Sequence, residues 1–264
     1  MSGPRRTCTG ANGVPEARVR TDADADDDLY RRIGVTLERL AVDEWGVART
    51  SRWDLAPDLP CAVSIVMRHA PAAMVGIPEA AMSQAFFDDY ARLFRQLDEA
   101  AAAVVALLEA RGHHAVQTGN VMSGPHDNPP LADWGDAGVF AHKTAATQAG
   151  LGWIGKTALF VSARFGPAVR LTTVFTDAPL APGTPVTVSR CGRCRVCVDA
   201  CPMDAGRDVL WTAGMARDEL YHEKRCEEIT WTHPEWDGTC AVCQTVCPYT
   251  RAVSRIVPPA SRRA

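Results

Sequence analysis

The sequence has no long hydrophobic run. No apolar stretch approaches the roughly 18 residues that a membrane-spanning helix needs, so we expect no contact with a membrane. The formal net charge is only −3, which gives no general case for binding nucleic acid or a lipid surface. Arg5 and Arg6 are not followed by an apolar segment, so we do not interpret them as a twin-arginine export signal.

Cysteine, in contrast, is abundant and unevenly distributed. Eight of the ten cysteines lie between residues 191 and 247. Many unprotected thiols without an export signal are typical of a reducing compartment, so we predict a cytoplasmic protein. Of the other two, Cys8 lies in the N-terminal tail, and Cys61 lies beside an apolar run where we expect a buried hydrophobic role.

The first cysteine run reads Cys191-Gly-Arg-Cys194-Arg-Val-Cys197-Val-Asp-Ala-Cys201-Pro. This is C-x2-C-x2-C-x3-C-P, the spacing that bacterial ferredoxins use for iron–sulfur clusters. The two-residue gaps let one tight loop place three sulfurs around one cubane. The fourth cysteine then ligates the other cluster.

The second run reads Cys240-Ala-Val-Cys243-Gln-Thr-Val-Cys247-Pro. It lacks the first cysteine of the pattern, because Asp237 lies three residues before Cys240. Cys226 lies upstream and can supply the missing thiolate, with Asp237 as the competing ligand.

Eight thiolates are what two [4Fe–4S] clusters need, and crossed pairing assigns four to each. A four-cysteine zinc site and a disulfide framework are the alternatives, but zinc rarely needs a third cysteine at the same spacing. The predicted ligands of cluster one are Cys191, Cys194, Cys197 and Cys247, and those of cluster two are Cys201, Cys226, Cys240 and Cys243.

The chain is predicted to divide near residue 183. Residues 1–28 are rich in Gly, Pro, Arg, Ala and Asp, which predicts a disordered tail. Residues 29–183 alternate helical and strand patterns and predict an α/β domain for cofactor and substrate. Residues 184–250 predict a double-cluster module with little core of its own, and residues 251–264 a basic tail.

Periodicity gives the expected elements of the first domain. A Gly/Pro/Asn/Asp-rich loop over residues 119–138 is long enough that it is either functional or disordered. We predict helices over 29–42, 80–111 and 141–149, and strands over 62–67, 115–117, 159–161 and 169–175.

A glycine-rich segment precedes the cysteine runs and reads Gly150-Leu-Gly152-Trp153-Ile-Gly155-Lys156. Its glycines allow the backbone to pass close to a flat ligand, while Trp153 offers a stacking face and Lys156 a cation. A tight helix-to-strand turn would explain the same residues. The segment also lacks the residue order of a dinucleotide fingerprint.

The glycine-rich segment, then Thr176-Asp177, then the two cysteine runs resemble the epoxyqueuosine reductases and, more widely, the reductive-dehalogenase-like group. The resemblance covers about residues 141–249. It implies an α+β protein, with a nitroreductase-like α/β domain followed by a bacterial ferredoxin-like module with two [4Fe–4S] clusters. It also implies a bound cobalamin beside Gly150 to Lys156, with electrons passing from the clusters to cobalt to reduce an epoxide or a carbon–halogen bond.

The resemblance implies a catalytic aspartate in an Asp-x-x-Pro setting. Asp127 has that setting, although it lies further from the glycine-rich segment than the family pattern expects, and Asp133 and Asp136 are alternatives. Most loop aspartates form turns. His142 is a second candidate, as a proton donor or as a metal or cobalt ligand, although a histidine at a helix start is more often structural.

The sequence departs from the epoxyqueuosine reductases after the second cysteine run, where those enzymes continue into a helical-repeat domain that helps hold tRNA. We therefore expect a shortened relative with an unknown substrate, and tRNA is not favoured. The preferred interpretation is an oxidoreductase supplied by a reduced ferredoxin or a flavodoxin-like donor. The alternative is a non-catalytic ferredoxin-like electron-transfer protein that docks to a partner enzyme.

Overall fold

The protein combines helices with antiparallel sheet, which agrees with the predicted α+β class in its mixture of the two. The computed structural model describes residues 22–50, 58–75, 77, 83–118, 142–232 and 240–250. Within these residues, no helix has the length and apolar character needed to cross a membrane. Several predictions fall outside them, namely those for the first 21 residues, the basic tail, and Asp127, Asp133, Asp136 and Asp237.

The α-helices of four or five residues all lie in the cysteine-rich part of the described chain. The strands are β1 (Glu44–Arg49), β2 (Cys61–Arg68), β3 (Ala115–Thr118), β4 (Gly152–Ile154), β5 (Phe160–Ser162) and β6 (Val169–Thr176). The helices are α1 (Asp22–Arg39), α2 (Gln84–Glu109), α3 (His142–Gln148), α4 (Val196–Asp199), α5 (Arg217–Leu220), α6 (Glu223–Glu227), α7 (Ile229–Thr232) and α8 (Val242–Thr245).

In the described part of the chain, the larger sheet has four antiparallel strands in the order β1-β2-β6-β3. Val63 of β2 lies opposite Val47 of β1 on one side and Val174 of β6 on the other. Every residue of β2 from Cys61 to Met67 is buried, as expected for a central strand covered on both faces. Strands β4 and β5 form a separate short hairpin.

Helices cover the two faces of this sheet. On one face, α1 packs with Leu29, Ile33 and Leu37, which recur every four residues and so share one side of the helix. Helix α2 covers the same face, and the Ser83 hydroxyl caps its start by accepting a hydrogen bond from the backbone N–H of Phe86 at 3.2 Å. Helix α3 contacts β1, β2 and β6.

The structure corrects the predicted boundaries in three places. Helix α1 begins at Asp22, so residues 22–28 are helical and do not belong to the tail. Strand β1 was not predicted, because its short sequence contains Gly46 and shows no clear alternation. Strand β4 lies inside the segment predicted to be a glycine-rich loop. Cys61 is buried, as expected.

Candidate functional site

The two cysteine runs lie against each other. Each run contributes one short helix, α4 from the first and α8 from the second, and these two helices are in contact. Val242 and Val246 form a small apolar core there, against which Cys197 and Cys240 pack. The contact brings thiols that are about fifty residues apart in the chain into one region.

One set of thiols gathers around Cys197. Burial raises the pKa of Cys197 to about 12, together with the nearby charges of Cys247, Cys191 and Cys194. Burial also raises the pKa of Cys247 to about 11, with the charges of Cys191 and Cys194 contributing. We call these four residues group one, and they are the predicted ligands of cluster one.

The other four thiols form group two, which consists of Cys201, Cys226, Cys240 and Cys243. Burial raises the pKa of Cys240 to about 11, with contributions from the charges of Cys226 and Cys201. Burial also raises the pKa of Cys243, with the charges of Cys240, Cys197 and Cys226 adding to the effect. Cys197 lies on α4 and Cys243 on α8, and because these helices are in contact, the two groups adjoin each other.

Both groups have the donor chemistry of iron–sulfur sites. Each offers four thiols, the usual ligand set for a [4Fe–4S] cluster. Among the described residues, no three His, Cys, Asp or Glu side chains converge closely enough to hold a single metal ion. The thiols of a cubane stand further apart than those of a single-ion site, because each binds a different iron. In number and type, the donors of each group match what one cluster needs, and Asp237, the competing ligand, lies outside the described residues.

Several hydrogen bonds end on these sulfurs. The indole N–H of Trp153 donates to Sγ of Cys191 at 3.4 Å. The backbone N–H of Ala205 donates to Sγ of Cys201, also at 3.4 Å.

Two hydroxyl groups act in the same way in group two. Burial raises the pKa of Cys226, and a hydrogen bond from the Tyr221 hydroxyl opposes that rise. The Thr157 side chain likewise opposes the rise that burial causes in the pKa of Cys243.

A cavity of about 460 Å³ adjoins group two. This volume lies within the roughly 300–1,000 Å³ that small-molecule sites usually have. All four thiols of group two line it, and none of the thiols of group one does. Its opposite wall comes from α2, α3 and β6 and carries Tyr90, Phe94, His142, Lys143 and Arg170.

His142, a predicted catalytic candidate, lies on this wall. Its side chain is buried, with 7% exposed, and Nδ1 lies 2.9 Å from Oγ1 of Thr173 on β6. Lys143 follows it and donates from Nζ to the carbonyl oxygen of Ala158 at 3.0 Å. Burial, together with the charge of Arg217, lowers the pKa of Lys143 to about 8.

The glycines of the predicted cofactor loop face protein. A Cβ atom at Gly152 would lie 2.0 Å from the carbonyl oxygen of Val161, across the β4–β5 hairpin. At Gly150, where φ is +83°, it would lie 2.6 Å from the carbonyl oxygen of Thr184. At Gly155 it would lie 3.0 Å from a methyl group of Val161. Their small size is therefore required by the packing of this chain.

The two side chains of that segment are also engaged by protein. Trp153 is 1% exposed, and its ring meets the ring of Tyr249 edge-on at 4.9 Å. Lys156 is 4% exposed, and its ammonium lies 2.6 Å from the carboxylate of Asp208. Gly150, Gly152, Trp153, Gly155 and Lys156 thus have close protein neighbours, and their predicted role beside a cofactor stays a prediction.

Sequence reasoning missed several residues that the fold brings to the cavity. Tyr90 and Arg170 are far apart in the chain, yet the Arg170 guanidinium lies over the Tyr90 ring at 4.2 Å from its centroid. Thr157 and Tyr221 were also missed, because a single hydroxyl residue carries no spacing signal. Lys143 lies next to His142, and its basic side chain so close to a predicted site was a signal that could have found it.

Known proteins with similar sequences fall in two related groups. No family model matches the chain. A tetrachloroethene reductive dehalogenase from Sulfurospirillum multivorans is 32% identical over 126 residues, which cover 43% of this chain and 24% of that protein. An epoxyqueuosine reductase from Listeria monocytogenes is 31% identical over 122 residues, which cover 44% of this chain and 31% of that protein. The chain thus matches about a quarter to a third of the length of these relatives.

Solved structures of the same two groups share the fold. A reductive dehalogenase, whose structure suggests a mechanism for B12-dependent dehalogenation, superposes with a TM-score of 0.61 at 19% identity, covering 83% of this chain and 31% of that chain. An epoxyqueuosine reductase in complex with a modified tyrosine tRNA stem loop superposes with a TM-score of 0.57 at 16% identity, covering 88% of this chain and 66% of that chain. The predicted resemblance to these two groups is confirmed.

Proposed function

We propose that the protein is an iron–sulfur oxidoreductase of the epoxyqueuosine reductase and reductive dehalogenase type. In this proposal, residues 29–183 are a nitroreductase-like domain and residues 184–250 a ferredoxin-like module. The observation that carries the proposal is the arrangement of the eight thiols, because two sets of four adjoin each other and only one of them lines a cavity. The reducing environment of the cytoplasm suits such thiolate ligands.

Group one would hold cluster one and group two would hold cluster two. When bound, the clusters supply one-electron transfer at potentials that the surrounding protein sets. The chain keeps the sulfurs half-buried, apart from the exposed Cys194. Because burial raises the thiol pKa values, loading iron has to displace protons from these cysteines.

The positions of the two groups favour electron transfer from group one to group two. Cys194 is exposed, so group one lies where a reduced ferredoxin or a flavodoxin-like donor could approach. Group two lines the cavity, so an electron acceptor placed there would be next to cluster two. The adjoining groups allow transfer between the two clusters.

A reduction that consumes electrons also needs a proton at the acceptor. Lys143 lines the cavity, and its pKa of about 8 is close enough to neutrality for an ammonium to give up a proton. His142 lies beside it and is held by Thr173. We propose Lys143 as the first candidate for proton delivery and keep His142 and Asp127 as the other two.

Cobalamin is included in the proposal because one structurally similar protein is a reductive dehalogenase described as B12-dependent. The residues predicted to flank a corrinoid are packed against protein at the three glycines, so these contacts give that role no support. We therefore assign no reaction step to a corrinoid. The acceptor in the cavity is a cobalamin or the substrate itself. The similar epoxyqueuosine reductase binds a tRNA stem loop, and we do not propose tRNA as the substrate of this chain.

The test is anaerobic expression in medium supplemented with cobalamin, followed by iron, sulfide and corrinoid analysis of the purified protein. We expect about eight irons per chain, as two cubanes require. Corrinoid bands at one per chain would identify cobalamin as the acceptor. Loaded clusters without corrinoid, and without reduction of any epoxide or organohalide supplied, would favour the alternative, an electron-transfer protein that docks to a partner. Iron far below this content would contradict the proposal.

A further inference from the structure

The loop that carries the first thiols of group one faces solvent. Cys194 is exposed, whereas the other thiols of the two groups are half-buried. A Cβ atom built at Gly192, where φ is +54°, would meet no described atom within 4 Å, so the space outside the loop is open. The described chain therefore leaves Cys194 open to a partner protein. The other exposed residues of this loop are Arg190, Arg193, Arg195 and Val196.

This loop carries positive charge that the described residues do not fully neutralise. Arg195 forms ion pairs with Asp199, at 3.2 Å, and with Asp208. Within the part of the chain that the structure describes, these are the ion pairs of the loop, and neither Arg190 nor Arg193 takes part in one. Their exposed guanidinium groups are therefore available to carboxylates of another molecule.

Exposed apolar side chains border these arginines. The Tyr249 hydroxyl donates a hydrogen bond to the backbone carbonyl oxygen of Arg190 at 3.5 Å. Val188 lies opposite Thr212 in an antiparallel bridge, and continuing the two segments brings Leu210 towards Arg190. Of the seven large hydrophobic side chains that are exposed in the described residues, four lie in this region, namely Val188, Val196, Leu210 and Tyr249.

Basic and apolar side chains thus surround the exposed thiol of group one. Tyrosine and arginine are enriched in protein–protein interfaces, where an apolar centre is enclosed by polar residues. A basic surface is complemented by an acidic one, and this complementarity speeds the encounter of the two proteins. We call this region the Cys194 surface, and its residues besides Cys194 are Val188, Arg190, Arg193, Val196, Leu210 and Tyr249.

We propose that the Cys194 surface is the docking site of the electron donor, and that this donor is a small acidic protein of the ferredoxin type. Its carboxylates pair with Arg190 and Arg193, and its apolar contact covers Leu210 and Tyr249. In the complex, the reduced cluster of the donor gives one electron to cluster one, so the donor is oxidised and cluster one is reduced. This inference rests on the proposed function, because cluster one must be present to accept the electron.

The test is calorimetric titration of the iron-loaded protein with an acidic plant-type [2Fe–2S] ferredoxin, at low ionic strength and at about 0.15 M salt. Salt should weaken binding to the parent, because it screens the charges of the two surfaces. Arg193→Glu and Leu210→Asp should each weaken binding at low ionic strength by about tenfold or more, as expected for residues near the centre of an interface. The rate of cluster reduction by reduced ferredoxin should fall in the same two variants.

Two matched substitutions and one matched partner serve as controls. Val35→Asp places a carboxylate at an apolar residue of α1 that is 42% exposed, close to the 44% of Leu210. Arg39→Glu reverses the charge of an exposed arginine in the last turn of α1. Both variants should bind ferredoxin with the parental affinity. A basic c-type cytochrome should bind the parent much more weakly than ferredoxin does, and equal affinities would contradict the acidic partner.

The outcomes separate this inference from the proposed function. Full iron content with parental affinity in both Arg193→Glu and Leu210→Asp would overturn the docking site and leave the oxidoreductase intact. The same affinities with a shifted potential of cluster one in Arg193→Glu would mean that the arginine serves the cluster and not a partner. A parent protein that binds no clusters would overturn the proposed function itself.

Two further results would also be decisive. If Arg193→Glu does not load iron, Leu210→Asp decides, because Leu210 lies nine residues after the nearest predicted ligand, Cys201. If the parent is a dimer in sedimentation and Leu210→Asp is a monomer, the Cys194 surface contacts a second copy of this chain, and the inference is wrong.

Discussion

The ammonium of Lys156 lies 2.6 Å from a carboxylate oxygen of Asp208, and this pair joins the glycine-rich segment to the cysteine-rich part of the chain. The lysine is buried, whereas 30% of the aspartate side chain is exposed. A buried charge that loses its partner costs more than a pair removed whole. The two partners are therefore not equivalent under mutation.

We predict that Asp208→Asn lowers the melting temperature more than Lys156→Met does. The first change leaves a buried ammonium without its partner, while the second removes the buried charge. The double variant should be less destabilised than the sum of the two single variants. Thermal unfolding of the three proteins measures this, and equal effects of the single variants would contradict it.

Acid should weaken the same contact. Lys156 holds the pKa of Asp208 below its ordinary value of 3.8, and Arg195 contributes in the same direction. A carboxylate with a lowered folded pKa adds stability above its unfolded pKa, and that stability is lost as pH falls towards the folded value. The parent should lose more stability between pH 5 and 3 than Asp208→Asn does. This pH range extends about one unit to either side of the pKa of an unfolded aspartate.

Gly152→Ala should be among the most damaging small substitutions in the chain. Its methyl group would lie 2.0 Å from the carbonyl oxygen of Val161, so the two strands of the hairpin would have to separate. Overpacking of this kind costs about 3 kcal/mol or more. Denaturant unfolding measures this cost.

Gly112→Ala is the matched control for that variant. Gly112 has φ of +83° and no neighbouring atom within 4 Å of an added Cβ. Only the left-handed backbone penalty applies, about 1–2 kcal/mol. Similar losses of unfolding free energy in the two variants would mean that packing across the hairpin does not require a glycine at position 152.

Cys226→Ser should remove one cluster and spare the other. Cys226 belongs to group two, whose other three thiols cannot complete a four-cysteine site. Iron should fall from about eight to about four per chain by the stoichiometry of a cubane. Cys61→Ser, which changes a buried cysteine outside both groups, should leave iron unchanged. If Asp237→Ala causes the loss and Cys226→Ser does not, the eighth ligand is Asp237.

Lys143 should make the stability of the protein depend on pH in the alkaline range. Its pKa falls from 10.5 to about 8 on folding, so the unfolded chain binds the proton more tightly. The contribution of Lys143 to stability should therefore rise between pH 8 and 10.5 as this destabilising burial of charge is relieved, while the thiols with raised pKa values contribute in the opposite direction. Lys143→Met should remove this contribution, so its stability should change with pH differently from that of the parent, and Lys224→Met, which removes an exposed lysine, should follow the parent.

The sequence predicted the cysteine groups better than any other part of the site. Their spacing is local, and a tight turn converts it directly into geometry around a cubane. The glycine-rich segment is harder to interpret for the opposite reason. A glycine is needed wherever space is short, and the sequence does not say whether a ligand or Val161 fills that space. The hydrogen bond from Trp153 to Cys191 joins residues 38 positions apart in the chain, which no local pattern encodes.

Each cysteine group takes thiols from both ends of the cysteine-rich module, and this has a consequence for biogenesis. While the protein is being synthesised, the first run can gather only Cys191, Cys194 and Cys197, since Cys247 emerges from the ribosome some fifty residues later. A nascent chain therefore cannot complete either site. If the two groups hold the proposed clusters, delivery of iron and sulfide has to wait until Cys247 has emerged, and chains truncated before the second run would be metal-free substrates for proteolysis.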